Sequence, residues 1–398
     1  MDKVIVVGAG ISGATIARLF AENGYEVTVI DRRDTIGGNA FDYRNKNGII
    51  VQPYGPHIFH TNSEKVYKFL TKFTDWREYR HKVLAKIRKD KLVPVPFNLN
   101  SLHVAFSKKK AERLEEILIA EFGEGARLNV MELKKHKNPE IRDFGEYVYK
   151  HVFYIYTMKQ WGYKPERLSA EIMGRVPVVL SRNDEYFDDK YQVMPEDGFS
   201  MMIANILRHP HIKIKLKTNA ATGAYIHEGQ IYLRGKPFDG IVVYTGSVDE
   251  LFEYKHGVLP YRTVKFRFEY KRVVSYQSSA VINYTVSGKQ TRVTEFSKFT
   301  SEPSSTGTVI VKEIPKKHKK GKNEPYYPIP LVKNIEIFNK YKQEAEGCKN
   351  LYLLGRLGNY KYINLDQAVE NAIELFERIT GEEVDIESIR ETKIGRAY

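Results

Sequence analysis

The first forty residues constrain the fold most, because a strand, a glycine-rich turn, a helix and an acid follow one another in a fixed order. The β-branched run Val4 to Val7 leads into the segment Gly-Ala-Gly-Ile-Ser-Gly at 8–13, and a second strand follows the helix and ends at Asp31. A strand, glycines, a helix and an acid in this order are typical of a βαβ unit that binds a dinucleotide. We therefore predict that the chain begins with a Rossmann-like domain.

Each glycine has a separate expected purpose in such a unit. Gly8 permits the tight turn, Gly10 lets backbone amides approach a pyrophosphate, and Gly13 allows the helix to pack closely on the sheet. The pyrophosphate would bind at the helix N-terminus, where unpaired N–H groups and the helix dipole favour negative charge. Asp31 is placed to accept hydrogen bonds from a ribose.

The segment after Asp31 favours one cofactor over another. Arg32 and Arg33 precede a second glycine pair, Gly37-Gly38, and Asn39. A second glycine pair at this position resembles flavoproteins with two dinucleotide-binding domains, so we predict FAD. NADP is the alternative, because Arg32 or Arg33 could pair with a ribose 2′-phosphate. The predicted cofactor-binding residues of this region are Gly8, Gly10, Ser12, Gly13, Asp31, Arg32, Gly38 and Asn39.

Length and composition narrow the class of protein. A chain of 398 residues has room for two or three domains, and its single cysteine, Cys348, excludes an intrachain disulfide framework. No continuous apolar run approaches the length of about 18 residues that a membrane span needs. We therefore expect a cytoplasmic enzyme without a membrane partner.

The net charge of +14 raises the question of a nucleic-acid partner. No helix-turn-helix, zinc-finger or RNA-binding signature accompanies the basic residues, so we predict no nucleic-acid partner. A positive field also speeds the encounter with an anionic small molecule such as a nucleotide diphosphate.

The pattern of the chain predicts three domains. A Rossmann-like domain is expected over residues 1–78 with 190–245 and 340–398, and a helical domain over 100–185, where apolar residues of 111–122 recur at helical spacing. The remaining residues, 79–99 with 246–339, are expected to form an antiparallel β-sheet domain. Short alternating segments between 210 and 312, including Ile212 to Leu216, are interpreted as strands of a largely antiparallel sheet.

Several longer blocks carry a family resemblance. They are YGPHIFHT at 54–61, YTMKQWG at 156–162, RVP at 175–177, TRVTE at 291–295, PYYP at 325–328 and GRLGNY at 355–360. In order and spacing these blocks resemble bacterial UDP-galactopyranose mutases from Val4 to about Ile379. The resemblance implies an α/β fold in which a Rossmann-like FAD domain carries an inserted helical domain and a twisted antiparallel sheet.

The resemblance also implies a reaction without net redox change, the interconversion of UDP-galactopyranose and UDP-galactofuranose. In the implied mechanism N5 of the reduced flavin attacks the anomeric carbon and displaces UDP; the sugar then opens as an iminium ion and recloses through its 4-hydroxyl. The flavin is the nucleophile, and the protein supplies binding, orientation and electrostatics. A cellular reductant such as NAD(P)H and a homodimer are further implied partners.

Two arginines match the family positions that clamp the diphosphate, Arg175 and Arg292. Guanidinium groups suit this role because their bidentate, charge-assisted hydrogen bonds to phosphate have a fixed geometry. Tyrosines match positions at the phosphates and sugar, and Tyr156 matches the position that stacks on uracil. The substrate-binding residues implied in full are Phe153, Tyr156, Thr157, Trp161, Arg175, Tyr186, Asn283, Arg292, Tyr327 and Tyr362.

Further implied residues lie against the flavin: His57, His60, Gly355, Arg356, Tyr362 and Asn364. His60 would orient the isoalloxazine or hold charge near N5, and Arg356 would face the anionic N1 region, so both join the two clamp arginines as catalytic candidates. His57 and His60 could instead suggest a metal pair, but no Cys or carboxylate cluster lies at suitable spacing, so no metal is predicted.

The chain departs from the family at Asn364, where relatives commonly carry Asp. The amide removes a charge, so UDP-N-acetylgalactosamine or dTDP-fucose remains an alternative substrate. Two other classes also stay open: a flavin amine-oxidase-like oxidoreductase and a non-catalytic nucleotide-sugar binder.

Overall fold

The computed structural model describes residues 2–88, 90–168, 176–219, 224–233, 235–300 and 306–394. Within these ranges no helix is both long enough and apolar enough to cross a membrane.

The strands, in chain order, are β1 (Lys3–Val7), β2 (Glu26–Ile30), β3 (Tyr43–Arg44), β4 (Ile50–Val51), β5 (Phe59–Thr61), β6 (Trp76–Glu78), β7 (Val83–Arg88), β8 (Lys91–Val95), β9 (Arg127–Leu128), β10 (Val178–Val179), β11 (Tyr191–Pro195), β12 (Ile212–Lys215), β13 (Ala224–His227), β14 (Gln230–Leu233), β15 (Lys236–Pro237), β16 (Ile241–Tyr244), β17 (Tyr261–Lys271), β18 (Val281–Tyr284), β19 (Arg292–Glu295), β20 (Thr308–Lys317), β21 (Tyr327–Pro328) and β22 (Leu351–Leu353). The α-helices are α1 (Ile11–Glu22), α2 (Glu64–Thr71), α3 (Leu99–Ala105), α4 (Lys108–Phe122), α5 (Val130–Leu133), α6 (Pro139–Val148), α7 (Ile155–Trp161), α8 (Phe199–Leu207), α9 (Val248–Leu251), α10 (Val332–Glu346), α11 (Gly355–Gly358) and α12 (Leu365–Thr380).

A parallel five-stranded sheet in the order β12-β2-β1-β16-β22 forms the nucleotide-binding layer. Helix α1 follows β1 and is buried over most of its length. Helix α12 packs on α1, and Phe376 meets Phe20 edge to face with ring centroids 5.1 Å apart. The predicted Rossmann-like α/β fold is therefore confirmed.

The expectation for β12 was wrong in one respect. Residues Ile212 to Lys215 pair in parallel with Val27 to Ile30 of β2, so this strand extends the nucleotide-binding sheet and does not enter the antiparallel one. Alternation of apolar and polar residues predicts a strand but contains no information on which distant strand it pairs with.

Two glycines of the first turn are required by contacts with neighbouring atoms. Gly8 has φ +113°, and a Cβ there would lie 1.9 Å from Thr245 Oγ1. A Cβ on Gly13 would lie 1.9 Å from the Gly8 carbonyl oxygen. A tight turn at the first glycine and close packing of helix on sheet at the third agree with the sequence prediction.

In the helical region, helices α6 and α7 are joined into one continuous segment by a turn of π-helix. Helix α6 passes through a π-helical turn, Tyr149–Tyr154, before α7 begins at Ile155. Helix α4, Lys108–Phe122, matches the periodic segment 111–122 and buries Ala111, Leu114 and Leu118. A π turn rotates the side chains that follow it, and such turns are frequent at functional sites.

The largest sheet has seven strands in the order β21-β17-β20-β19-β18-β7-β8. Five of its six strand pairings are antiparallel, and β18 pairs with β7 in parallel, so the predicted largely antiparallel sheet is confirmed. Helix α7 contacts β20 of this sheet, and Lys159 Nζ donates to the carbonyl oxygens of Tyr284, Ser287 and Gln290. These bonds tie the helical region to the hairpin that carries Arg292.

The C-terminal segment returns to the first helix. The Arg18 guanidinium is fully buried and donates to the carbonyl oxygen of Arg390 at 2.6 Å. Ile386 and Ile389 are buried, and the Thr392 amide donates to the Lys72 carbonyl at 2.9 Å.

Candidate functional site

Two cavities meet at one wall. The larger, of about 1390 Å³, lies along the carboxyl edge of the parallel sheet, and the smaller, of about 340 Å³, lies between the seven-stranded sheet and the helical region. Four residues line both cavities: His57, Arg356, Asn364 and Leu365. A molecule extended through the larger cavity would therefore reach the smaller one at this shared wall.

The glycine-rich turn forms one end of the larger cavity. Gly10 is the N-cap of α1 without a side-chain cap, and its Cα faces Gly38, where a Cβ would lie 3.0 Å from the Gly10 Cα. The Asp31 carboxylate accepts from the Ala9 amide at 2.8 Å and from the Arg33 amide at 2.8 Å. Asp31 therefore fixes both loops beside which a ribose would bind.

The two arginines after Asp31 differ in their surroundings. Arg32 lines the larger cavity at its rim and pairs with Glu324 and, at 3.6 Å, with Glu250. Arg33 lies over the Tyr54 ring at 4.4 Å, and its Nη2 donates to Asn39 Oδ1 at 3.0 Å. The buried Nη1 of Arg33 has no hydrogen-bond partner among the described atoms. A buried guanidinium nitrogen in this condition fits an anionic group in the cavity.

His57 stands at the shared wall as a neutral side chain. Burial, with the nearby Arg356 and Arg292 charges, lowers the pKa of His57 to about 3. Its Nδ1 lies 3.0 Å from the Gly55 carbonyl oxygen, which can only accept. Nδ1 therefore carries the proton, and Nε2 is left as an acceptor.

His60 lies in the smaller cavity and is oriented by a neighbouring loop. Its Nδ1 is 2.9 Å from Asp189 Oδ2, and its ring stacks on Phe187 with centroids 3.6 Å apart. The hydrogen bond with His60 lowers the pKa of the Asp189 carboxyl, so this carboxylate is ionised at neutral pH. Gln192 of β11 pairs with His60 of β5, which sets the register of the two segments.

Arg292 brings a charge into the smaller cavity from strand β19. Its Nε donates to Glu313 Oε1 at 2.6 Å, and the Glu313 side chain is 4% exposed. Burial alone would lower the pKa of Arg292, but the Glu313 carboxylate raises it well above its ordinary value. The guanidinium therefore remains charged, with its other nitrogens available to an anion.

Arg356, a residue of the wall shared by the two cavities, lies among three tyrosine rings. Its guanidinium carbon lies 4.8 Å from the centre of the Tyr362 ring and 5.7 Å from those of Tyr326 and Tyr327. Its Nη2 donates to the Ile363 carbonyl at 2.8 Å. Arg356 comes from α11, which begins directly after strand β22 and Leu354.

Most of the predicted residues line one of the two cavities. The larger is lined by Gly8, Gly10, Ser12, Gly13, Asp31, Arg32, Gly38, Asn39, His57, Gly355, Arg356 and Asn364. The smaller is lined by His57, His60, Tyr156, Tyr186, Asn283, Arg292, Tyr327, Arg356, Tyr362 and Asn364. Arg175 lies outside the described residues.

Three residues expected in the uridine pocket do not line the smaller cavity. Phe153 and Thr157 are buried in the helical region, and Trp161 packs on Tyr327 and Tyr362 with ring centroids 6.0 Å and 6.2 Å away. Trp161 therefore packs against the rings of these two tyrosines and does not line the cavity itself.

Sequence reasoning missed three residues of this site, His81, Asp189 and Glu313, and it considered Arg33 only as a partner of an NADP 2′-phosphate. His81 is 4% exposed and lines the smaller cavity, and burial lowers its pKa to about 3. Asp189 and Glu313 act through partners 129 and 21 residues away in sequence. Glu313 has no comparable signal in the sequence, because β20 also carries Lys312, Lys316 and Lys317 and does not reveal which cation faces the carboxylate.

Comparison with known proteins decides the family. A family profile described as UDP-galactopyranose mutase matches residues 151–362, and one described as an NAD(P)-binding Rossmann-like domain matches residues 6–73. The dTDP-fucopyranose mutase of Escherichia coli is 36% identical over 378 residues, which are 94% of this chain and 97% of that protein. The probable UDP-galactopyranose mutase of Klebsiella pneumoniae is 36% identical over 375 residues, 93% of each chain.

The chain belongs to the UDP-galactopyranose mutase family. It is therefore an isomerase, as the sequence predicts. The fold agrees: the crystal structure of a reduced UDP-galactopyranose mutase superposes with a TM-score of 0.74 at 15% identity, covering 100% of this chain and 99% of that one.

The cofactor of this enzyme is FAD, as predicted. The glycine cradle, Asp31 and the buried Arg33 nitrogen fit its ribose and pyrophosphate, and the shared wall would receive the flavin ring. Within the described residues no three His, Cys, Asp or Glu side chains are grouped so that they could hold a metal ion.

Proposed function

We propose that the chain interconverts UDP-galactopyranose and UDP-galactofuranose with reduced FAD. The observation that carries this proposal is the junction of the two cavities at His57, Arg356 and Asn364, with a charged, half-buried Arg292 on the substrate side. Reduced FAD supplies an electron-rich nucleophile for the anomeric carbon of the sugar.

The protein's own residues hold the leaving diphosphate. Arg292, fixed by Glu313, presents N–H donors to an anion in the smaller cavity, and Arg175 is proposed as the second clamp. Charge that develops on the diphosphate as the anomeric bond breaks is stabilised by donors already in place. Burial raises the pKa of the Tyr156 and Tyr327 phenols, so they donate hydrogen bonds without adding charge.

His57 and helix α12 line the junction of the two cavities, and His60 lies on the substrate side. Neutral His57 offers Nε2 as an acceptor, whereas His60 is held by Asp189. Asn364 caps α12, and Gln367 Oε1 accepts from its amide at 3.0 Å. An Asn at this position keeps the cap and adds no negative charge to the shared wall.

A second substrate, dTDP-fucopyranose, has support from one observation. A relative that is 36% identical over nearly the whole chain is named a dTDP-fucopyranose mutase.

We also propose that the enzyme works in the cytoplasm as a homodimer and receives electrons from a donor such as NAD(P)H.

A substrate panel with the reduced enzyme tests the proposal. Dithionite-reduced holoenzyme should convert UDP-galactofuranose into UDP-galactopyranose, resolved by chromatography, and the oxidised enzyme should not. Turnover of dTDP-fucofuranose alone would assign the second substrate. No turnover of either by a reduced, flavin-loaded sample would contradict mutase activity, and peroxide release with substrate would indicate an oxidase.

A further inference from the structure

Basic residues are concentrated on one pair of strands and on the segments that continue them. Residues 261–272 and 308–322, which contain β17 and β20, hold eleven Lys and Arg residues against two Glu. These two segments, called the arm, carry a net charge of about +9 of the chain's +14. The lysines of 316–322 lie at the end opposite to residues 270–276, because Lys316 pairs with Thr263 and Thr308 with Lys271.

Some basic residues of the arm lie opposite each other on the two strands, where they repel. Arg267 of β17 lies opposite Lys312 of β20 in the antiparallel ladder, and Lys312 pairs with Glu269. Like charges directly opposite each other destabilise a strand pair. Exposed Lys265 lies on the same face as Arg267. This arrangement favours an anionic partner outside the chain.

The arm ends in an apolar and aromatic tip formed by residues 270–276, Tyr-Lys-Arg-Val-Val-Ser-Tyr. Val274 is 58% exposed, Val273 46%, Tyr276 44% and Tyr270 42%. Two adjacent valines at the end of an arm, flanked by tyrosines and basic residues, are unusual on a protein surface that contacts only water. None of these residues lines either cavity.

We infer that the 270–276 tip docks end-on to an anionic lipid bilayer. Val273 and Val274 enter the interface, and Tyr270 and Tyr276 lie at the level of the headgroups. Arg267, Lys271 and Arg272, at the same end of the arm, meet the acidic lipids. Tyrosine suits this depth because one end of its side chain is apolar and the other polar. The expectation of no membrane partner rested on the lack of a spanning segment, which a surface contact does not require.

Two other occupants fit the tip less well. A second copy of the chain would bring one strongly basic arm against another. A nucleic acid would pair with the basic face, but it offers no apolar surface for Val273 and Val274. An anionic bilayer matches both the charge and the exposed valines. The inference does not depend on which sugar nucleotide the enzyme uses.

Vesicle sedimentation with the FAD-loaded enzyme tests the inference. The protein should sediment with vesicles of equal parts phosphatidylcholine and phosphatidylglycerol, and stay in solution with phosphatidylcholine alone. Binding should weaken between about 0.1 M and about 0.5 M salt, because the Debye length shortens. The double variant Val273→Asp, Val274→Asp should lower the partition coefficient by about tenfold or more.

Charge variants test whether vesicle binding depends on the arm or only on the net charge of the protein. Arg267→Glu, Arg272→Glu should reduce binding strongly, whereas Lys108→Glu, Lys109→Glu, with the same change of net charge at the exposed start of α4, should retain most of it. All variants should keep the flavin spectrum, the thermal transition and turnover of soluble substrate. Equal loss in both charge variants, or no effect of the valine variant, would overturn the inference, as would absence of vesicle binding. A smaller mass of the valine variant in light scattering would assign the tip to a second copy.

Discussion

Arg292, which is half-buried, and the buried Glu313 form an ion pair in which each residue depends on the other. The arginine is the charge that the proposed reaction needs, and the carboxylate fixes its geometry at 2.6 Å. Removing either partner therefore has two effects, one on chemistry and one on folding.

The variant Arg292→Ala should lower kcat by about 10²–10³-fold, because it removes a donor placed at developing charge. It should also lower the free energy of unfolding by about 3–5 kcal/mol, since Glu313 would be left buried and unpaired. Adding Glu313→Gln should recover stability but not kcat. Steady-state kinetics, urea unfolding and flavin content measure these effects, and near-normal turnover of Arg292→Ala would refute the role.

His81 makes the folded enzyme sensitive to acid. Its pKa falls from an ordinary value of 6.5 to about 3 on burial, so the unfolded chain takes up a proton that the folded chain does not. Stability from neutral His81 is present above pH 6.5 and is lost as the pH falls below it. Between pH 7.5 and 5.5 the contribution is about 1.4 kcal/mol. In urea unfolding, His81→Gln should reduce the wild-type loss over this interval by that amount; an identical loss in both proteins would contradict the assignment.

At the scale of secondary-structure elements, the first βαβ unit was predictable because its signals are local. Glycines, apolar periodicity and the terminal acid all act within forty residues. The position of β12 was not predictable, because its partner β2 is far away in sequence. For the same reason Asp189, which holds His60, could not be assigned from its neighbours, and the choice between Arg32 and Arg33 depends on loop geometry.

Two glycines of the first turn should separate folding from cofactor binding. Gly13→Ala places a Cβ 1.9 Å from the Gly8 carbonyl oxygen, so it should destabilise the protein by about 1–3 kcal/mol, the usual cost of overpacking. At Gly10 a Cβ would meet its nearest atom at 3.7 Å, so Gly10→Ala should fold normally but bind FAD more weakly. Thermal unfolding of the apoprotein and FAD titration distinguish the two, and equal behaviour of both variants would count against separate purposes.

The N-cap of α12 gives a test of charge at the shared wall. Asn364→Asp should leave stability almost unchanged, because the two residues cap helices equally well, whereas Asn364→Ala should cost about 1 kcal/mol. A change in the ratio of kcat/KM for UDP-galactofuranose over dTDP-fucofuranose in the Asp variant alone would connect charge with substrate choice. If the ratio of kcat/KM is unchanged in the Asp variant, the role of residue 364 is limited to capping α12.

At the scale of the whole molecule, the C-terminal segment fastens the first helix to the rest of the nucleotide-binding domain. Ending the chain after Glu383 would remove Ile386, Ile389 and the Arg390 carbonyl that Arg18 contacts. We expect a loss of about 3–5 kcal/mol in urea unfolding, since two buried apolar side chains and a hydrogen bond to a charged group disappear. The double variant Ile386→Ala, Ile389→Ala should produce a part of this loss, and an unchanged unfolding midpoint after truncation would contradict it.

The order of strands in the nucleotide-binding sheet also has a consequence for biosynthesis. Strand β1 is among the first residues made, yet its neighbour β16 is Ile241–Tyr244, more than two hundred residues later. At translation rates of about 5–20 residues per second, one edge of β1 waits on the order of ten seconds or longer for its partner. During that interval the nascent chain exposes an unpaired apolar strand edge, which is prone to pair with other chains until the ribosome delivers the missing neighbour.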